Sequence, residues 1–349
     1  MRIESVGTAF PPHYYSQEKL SGALKKHWAH RHFNLARLEK LHKNVLVGGR
    51  FLALPLERYD ELDSFTEAND AYIAAAVDVG ARAIENALES SSVELGEIDH
   101  LFFVTTTGIA TPSIDALLVN RLGLRRDLKR SPLFGLGCAA GAVGVSRAYD
   151  YLKAYPGEVA LLLSVELCSL TLQRKDLSVP NIIASGLFGD GAAAVLFVGQ
   201  DRASRGPSVL ATQSVFYPDT DRVMGWDISR EGFKVVLSPE IPALVHSEIR
   251  RDVDAFLESH GLTRGEIDTY ICHPGGPKIL DAFKDALELD EDALALTWDS
   301  LKRVGNLSSA SVLMVLADTL EKREPPPGSY GLLMAMGPGF CSELVLLRW

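Results

Sequence analysis

Apolar residues along this chain recur with two periods. From Thr66 to Leu88 they fall at helical spacing, including Ile73, Val77, Ala81, Ile84 and Ala87, which predicts one long, largely buried helix. His100 to Gly108 (HLFFVTTTG) is a short apolar and β-branched run, the pattern of an interior strand. Ile3 to Ala9 alternates loosely and stops at Pro11-Pro12, a strand leaving into a turn. Ser16 offers a helix cap, and Gln17 to Leu46 is mostly helical in composition, with Gly22 as its weak point. Phe134 to Gly144 (FGLGCAAGAVG) predicts a tight turn and then a helix running through Ala148 to Leu152, with Cys138 at the junction.

The pattern repeats. Gly96-Glu97-Ile98-Asp99 turns the chain into the interior strand, and Gly265-Glu266-Ile267-Asp268 does the same before Thr269 to Gly276, about 170 residues later. Gly137-Cys138 before a small-residue helix matches Gly305-Asn306-Leu307-Ser308-Ser309 before a helix through Leu320. Gly157 to Leu163 matches Gly328 to Met334 in the same order at nearly the same offset. The chain therefore reads as two halves of one α/β unit, residues 1–200 and 207–349, divided at the polar, irregular stretch between Val198 and Gly206. Equivalent halves pack their sheets in layers, with helices between and outside. Matching loops then face a shared site, which puts Cys138, His273 and Asn306 around one pocket.

At 349 residues there is room for an ample core, and 47% hydrophobic with 23% charged residues is the balance of a soluble globular protein. The net charge of −10 argues against general nucleic-acid binding. No apolar run is long enough to span a bilayer, and the start lacks a secretory pattern. The four cysteines are too scattered for a disulfide framework or a metal knuckle, which suits reduced thiols in a cytoplasmic protein. His27, His30, His32 and His42 invite a metal reading, but they share no helix face with carboxylates and do not pair with the cysteines. No metal is expected. Arg31, Arg37, Lys40, Lys43 and Arg50 make their segment the most basic of an acidic chain, either a solvated helix face or a seat for an anionic cofactor.

The chemistry centres on three residues. The unpaired N–H groups of a helix start favour an anion, so Cys138 is placed to carry a depressed pKa and to act as a nucleophile. His273, between an apolar strand and the rigid turn Pro274-Gly275-Gly276-Pro277, can form a thiolate–imidazolium pair with it. Asn306 can donate an amide N–H to a developing oxyanion. Taken singly, each has a plainer reading: a core cysteine, a satisfied strand-end histidine, a helix N-cap. The duplication brings the three together.

Gly137-Cys138-Ala139-Ala140-Gly141, Gly186 to Ala193 (GLFGDGAA), His273-Pro274-Gly275-Gly276, Gly305 to Ala310 (GNLSSA) and Gly337-Pro338-Gly339-Phe340 resemble the signature segments of type III polyketide synthases. These are the chalcone synthase-like enzymes on the thiolase fold, and the likeness spans essentially the whole chain. The resemblance implies a duplicated αβαβα layered architecture and no permanently bound cofactor, with coenzyme A thioesters as substrates. Cys138 would hold the starter and growing acyl chain, while His273 and Asn306 would bind the malonyl thioester carbonyl and stabilise the enolate left by loss of CO₂. Phe188 matches the family's gatekeeper. Thr111, Cys168, Thr171, Val235 and Ser308 match cavity positions, and Gly337 and Pro338 the loop shaping the inner wall. Arg37, Lys40, Lys43 and Lys278 match coenzyme A-binding positions. A homodimer is implied as well, with a residue near Thr111 reaching the partner's cavity.

Val235 stands where plant members carry a second gatekeeper phenylalanine, and the cavity positions are not large aromatics. That suits an aliphatic acyl starter. Together with the segment Met224-Gly225-Trp226-Asp227 it resembles bacterial enzymes that make alkylpyrones or alkylresorcinols from long-chain acyl-CoA. Two other readings use the same residue types. A ketoacyl-carrier-protein synthase of the initiating type performs one condensation with Cys, His and Asn. A papain-like hydrolase shares the order Cys138, His273, Asn306 but lacks the sequence usual around its nucleophile and leaves the duplication unexplained.

Overall fold

A computed structural model of the chain describes residues 1–29, 34–323 and 325–349. The first half runs β1 (Arg2–Ala9), β2 (His13–Ser16), α1 (Gln17–Trp28), α2 (Leu35–Asn44), β3 (Gly49–Leu52), α3 (Phe65–Glu89), β4 (His100–Thr105), α4 (Ile114–Leu122), β5 (Lys129–Phe134), α5 (Ala140–Ala154), β6 (Val159–Leu167), α6 (Val179–Leu187) and β7 (Asp190–Val198). The second runs β8 (Ser208–Phe216), β9 (Met224–Ser229), β10 (Gly232–Leu237), α7 (Ile241–Glu258), β11 (Ile267–Cys272), α8 (Pro277–Leu287), α9 (Ala295–Val304), α10 (Ser311–Lys322), β12 (Tyr330–Gly337) and β13 (Cys341–Arg348).

The strands order as β11-β12-β13-β8-β1-β7-β6-β4-β5. Within this order β4-β6-β7-β1 and β11-β12-β13-β8 repeat the same sense of pairing, one parallel contact followed by two antiparallel ones. The first run carries β5 in addition, parallel to β4. Among the described residues the two runs join by the register pair Arg2↔Ser208, with hydrogen bonds from the Ile3 N–H to the Pro207 carbonyl and from the Val209 N–H to the Met1 carbonyl beside it, closing one nine-stranded sheet. β6 and β7 are buried along their whole length, which their near-continuous apolar sequences require.

Three cores fill the spaces between these layers. α3 packs on the outer face of the first run, its start fixed by a capping box in which Ser64 and Glu67 exchange bonds. α7 and α8 cover the outer face of the second. Between the runs lie α5 and α10, whose Val145, Ala148, Val312 and Leu316 share one core with strand residues of both halves. The architecture is the layered α/β thiolase-like fold.

The sequence expectation for Gln17 to Leu46 needs one correction. The stretch holds two helices, because Asn34 accepts a hydrogen bond from the Arg37 N–H at 2.9 Å and starts α2 afresh. Gly22 lies inside α1 without breaking it. His30, Arg31 and His32 lie outside the described residues.

Two glycine substitutions should move stability in opposite directions. A Cβ on Gly141 would lie 2.2 Å from the Ser309 carbonyl oxygen, where the central helices cross. Gly141→Ala should cost about 1–3 kcal/mol through overpacking. Gly22→Ala adds a methyl to open space in a helix and should gain about 0.5–1 kcal/mol. Urea unfolding midpoints of both variants against the parent check this.

Candidate active site

Cys138 sits in a short 3₁₀ turn, Gly137–Ala139, just before α5. The turn needs glycine at 137, where φ is +49° and a Cβ would lie 2.5 Å from the Pro338 ring. The equivalent turn of the second half, Ser308–Ala310, packs directly against it. Cys138 Sγ lies 3.7 Å from Ser308 Oγ. Asn306 accepts from the Ser308 N–H at 2.8 Å and its Nδ2 lies 3.5 Å from the Gly275 carbonyl. Its own backbone N–H donates to the Leu187 carbonyl, and Gly189 N–H donates back to the Asn306 carbonyl, both at 2.9 Å. That ladder fastens Phe188 beside Asn306. His273 follows β11 and is 4% exposed, yet neither ring nitrogen has a partner.

Two cavities meet here. A chamber of about 40 Å³ is lined by Cys138, Ser308, Thr106 and Pro338, and an outer cavity of about 490 Å³ opens between α1 and the segments after β3 and β6. Cys168, Phe188, Trp226 and Val235 line both and form the partition. Thr171 lies on the outer cavity. Gly337 is wedged so closely beneath the Cys138 turn that a Cβ would lie 2.6 Å from the Ala139 nitrogen.

Other expected residues lie elsewhere. Thr111 is exposed in the loop after β4 and lines neither cavity of its own chain. Arg37, Lys40 and Lys43 are exposed because α2 buries the opposite stripe, Leu38 and His42. Lys278 is exposed in the first turn of α8. None of these four cations reaches either cavity; Lys26, His27 and Arg174 lie at the outer one instead. His27 faces Asp60 at 3.7 Å, and His42 is engaged by Ser21 and the Ile182 carbonyl. Among the described residues no group of His, Cys, Asp and Glu is arranged to hold a metal.

The family descriptions "Chalcone and stilbene synthases, N-terminal domain" and "C-terminal domain" match residues 2–202 and 208–349. The chain belongs to this family. It is 48% identical to a 1,3,6,8-tetrahydroxynaphthalene synthase of Streptomyces peucetius subsp. caesius, over 99% of this chain and 93% of that one. It is 34% identical to a 3,5-dihydroxyphenylacetyl-CoA synthase of Streptomyces toyocaensis, over 100% and 90%. The crystal structure of the 1,3,6,8-tetrahydroxynaphthalene synthase of Streptomyces coelicolor A3(2), a bacterial type III polyketide synthase, superposes with a TM-score of 0.95 at 31% identity, covering 100% of this chain and 99% of that one. The protein is thus a type III polyketide synthase, an acyltransferase for decarboxylating condensation of coenzyme A thioesters.

The electrostatics of this family member differ from the sequence expectation of a depressed thiol. Burial pushes the Cys138 thiol up to about 12 and pulls the His273 ring down to about 3. The helix start does not compensate for the loss of water, so at neutral pH both groups rest uncharged. Sequence reasoning gave no role to Glu166 and read Trp226 only as part of the Met224-Gly225-Trp226-Asp227 segment. Glu166 accepts from Thr106 N–H at 3.0 Å, Thr107 Oγ1 at 2.8 Å and the Ser309 hydroxyl, and burial raises it to about 7. Its signal was a lone acid in a strand that is otherwise apolar except for Ser164. Trp226 Nε1 donates to Thr106, which ties the β9–β10 hairpin over the chamber.

A neutral resting thiol gives a distinctive alkylation profile. Carbamidomethylation of Cys138, followed by peptide mass, should accelerate about tenfold per pH unit from roughly pH 7 to 10, because only the thiolate reacts. A rate already level near pH 7 would mean a thiolate formed in advance.

Proposed function

We propose that this chain builds a polyketide on Cys138 by repeated addition of malonyl-CoA units and releases a polyhydroxylated aromatic product. What carries this reading is the buried His273 ring, whose two nitrogens have no partner among the described residues, while Cys138 lines the chamber beside Ser308, whose N–H donates to Asn306. A buried polar group is left unpaired only at a cost, so its partner is the substrate. With an acyl thioester bound, the neutral imidazole accepts the Cys138 proton and the thiolate takes the acyl group, releasing free coenzyme A. His273 and Asn306 then bind the malonyl thioester oxygen. Loss of CO₂ leaves an enolate on that oxygen, whose carbon attacks the Cys138 thioester and frees the sulfur for the next round.

The product class rests on the 48% identity to a protein named for a naphthalene with hydroxyls on alternate carbons. That is the carbon pattern of a folded chain of two-carbon units. A second reading, a medium- or long-chain fatty acyl starter leading to alkylpyrones or alkylresorcinols, is favoured by one observation. The outer cavity is walled by Leu20, Leu24, Leu52, Leu56 and Leu172, a place for an aliphatic tail. Either chain outgrows the 40 Å³ chamber and passes the partition. The proposal includes a cytoplasmic homodimer: the four cysteines are free, no helix among the described residues is long and apolar enough to cross a membrane, and exposed Ile109 flanks Thr111 on the surface a second copy would cover.

Purified protein given labelled malonyl-CoA alone, or with acyl-CoA starters from acetyl to palmitoyl and coumaroyl, tests this by product mass. An aromatic polyketide from malonyl-CoA alone, absent with Cys138→Ala, is expected. Pyrones or resorcinols formed only with the longer aliphatic starters would favour the second reading. A single condensation that requires a carrier protein would overturn both. His273→Gln and Asn306→Ala should each lower malonyl-CoA decarboxylation by about 10²–10³.

A further inference from the structure

Arg50, on β3, is 4% exposed and lies on the wall of the outer cavity. Its Nη1 donates to the Phe188 carbonyl at 2.6 Å, while its Nε is buried without any partner. No carboxylate pairs directly with it among the described residues. The acid that acts on it is Asp190, whose oxygens are taken by the Ala53 N–H at 2.6 Å, the Ser169 N–H at 2.8 Å and the Ser169 hydroxyl. Burial lowers the guanidinium only to about 10, so it remains charged at neutral pH. A fixed cation with a free donor therefore stands beyond the partition, on the side into which an acyl chain on Cys138 would extend.

A buried charge with donors left over is stabilised by an anionic oxygen in a charge-assisted bond. Of the other cations on this wall, Lys26 and His27 are exposed and Arg174 is paired with Asp63 at 3.1 Å, so Arg50 alone among them is buried with a donor left over. We propose that Arg50 is a specificity-determining residue that binds an anionic oxygen on the acyl chain, either the free carboxylate of a malonyl starter or an enolate oxygen of the growing polyketide. The assignment rests on the condensing function proposed above. It also gives the Phe188 contact a second consequence: the residue that anchors the partition's backbone reads the chain that passes it.

The test uses full-length protein and two neutral variants, Arg50→Gln, which keeps an N–H for the Phe188 carbonyl, and Arg50→Met. In the first arm malonyl-CoA serves as extender while malonyl and hexanoyl starters compete; in the second, hexanoyl-primed products are sorted by number of extensions. A starter carboxylate at Arg50 predicts that malonyl-primed product falls at least about tenfold relative to hexanoyl-primed product in both variants. An enolate predicts that the competition ratio holds and the ratio of longer to triketide products falls to a similar extent. A merely structural role lowers all products together, so unchanged ratios in both arms overturn the proposal. If Arg50→Met does not fold, Arg50→Gln alone decides by the same ratios. Parent protein that makes no polyketide from either starter would instead overturn the condensing function, and the assignment would fall with it.

Discussion

The crossing of α5 and α10 sets the rest of the structure. Small residues at Ala140, Gly141 and Ala142 let the start of one helix reach the Ser309 backbone at the start of the other, closer than any side chain would allow. Since the two helices occupy equivalent places in the two halves, bringing them together superimposes two equivalent turns. One offers Cys138 and the other Ser308, with Asn306 two residues before it. The outer helices and the two runs of the sheet hold that crossing in place. A volume error of one methyl group there would be transmitted to both turns at once, because a close-packed interior does not absorb it.

Burial then decides the protonation of what the crossing assembles. Dry surroundings hold Cys138 as a thiol, His273 as an uncharged ring and Glu166 near half-protonation at neutral pH. The same lack of water strengthens any hydrogen bond a bound thioester makes, since the effective dielectric is low. The orphaned nitrogens of His273 are the cost of that arrangement.

Much of this was legible in the sequence because duplication leaves a register. The repeated Gly-Glu-Ile-Asp turns preceded matching strands, and the Cys138 turn contacts the matching turn Ser308–Ala310, with Asn306 two residues before it. What periodicity could not supply was depth. Nothing local distinguishes a helix start in water from one under two layers, so the thiol's pKa was expected to fall where burial raises it. For a related reason the basic helix could not be placed from sequence: packing leaves Arg37, Lys40 and Lys43 exposed and outside the lining of both cavities. Glu166 was visible as a charge in an apolar stretch and Arg50 only as one of a basic run, and their partners came from distant turns and strand ends that no window contains.

The partition between chamber and outer cavity has a further meaning. Trp226 and Val235 belong to the β9–β10 hairpin, a two-stranded ribbon outside the large sheet, whereas Cys138, His273 and Asn306 are set by the main layers. Half of the partition, Trp226 and Val235, is therefore carried on a ribbon apart from the layers that set Cys168, Phe188 and the three candidate site residues. Substitutions in the ribbon can accumulate without loosening the core, so an enzyme of this design can drift from one product to another while its chemistry stays fixed.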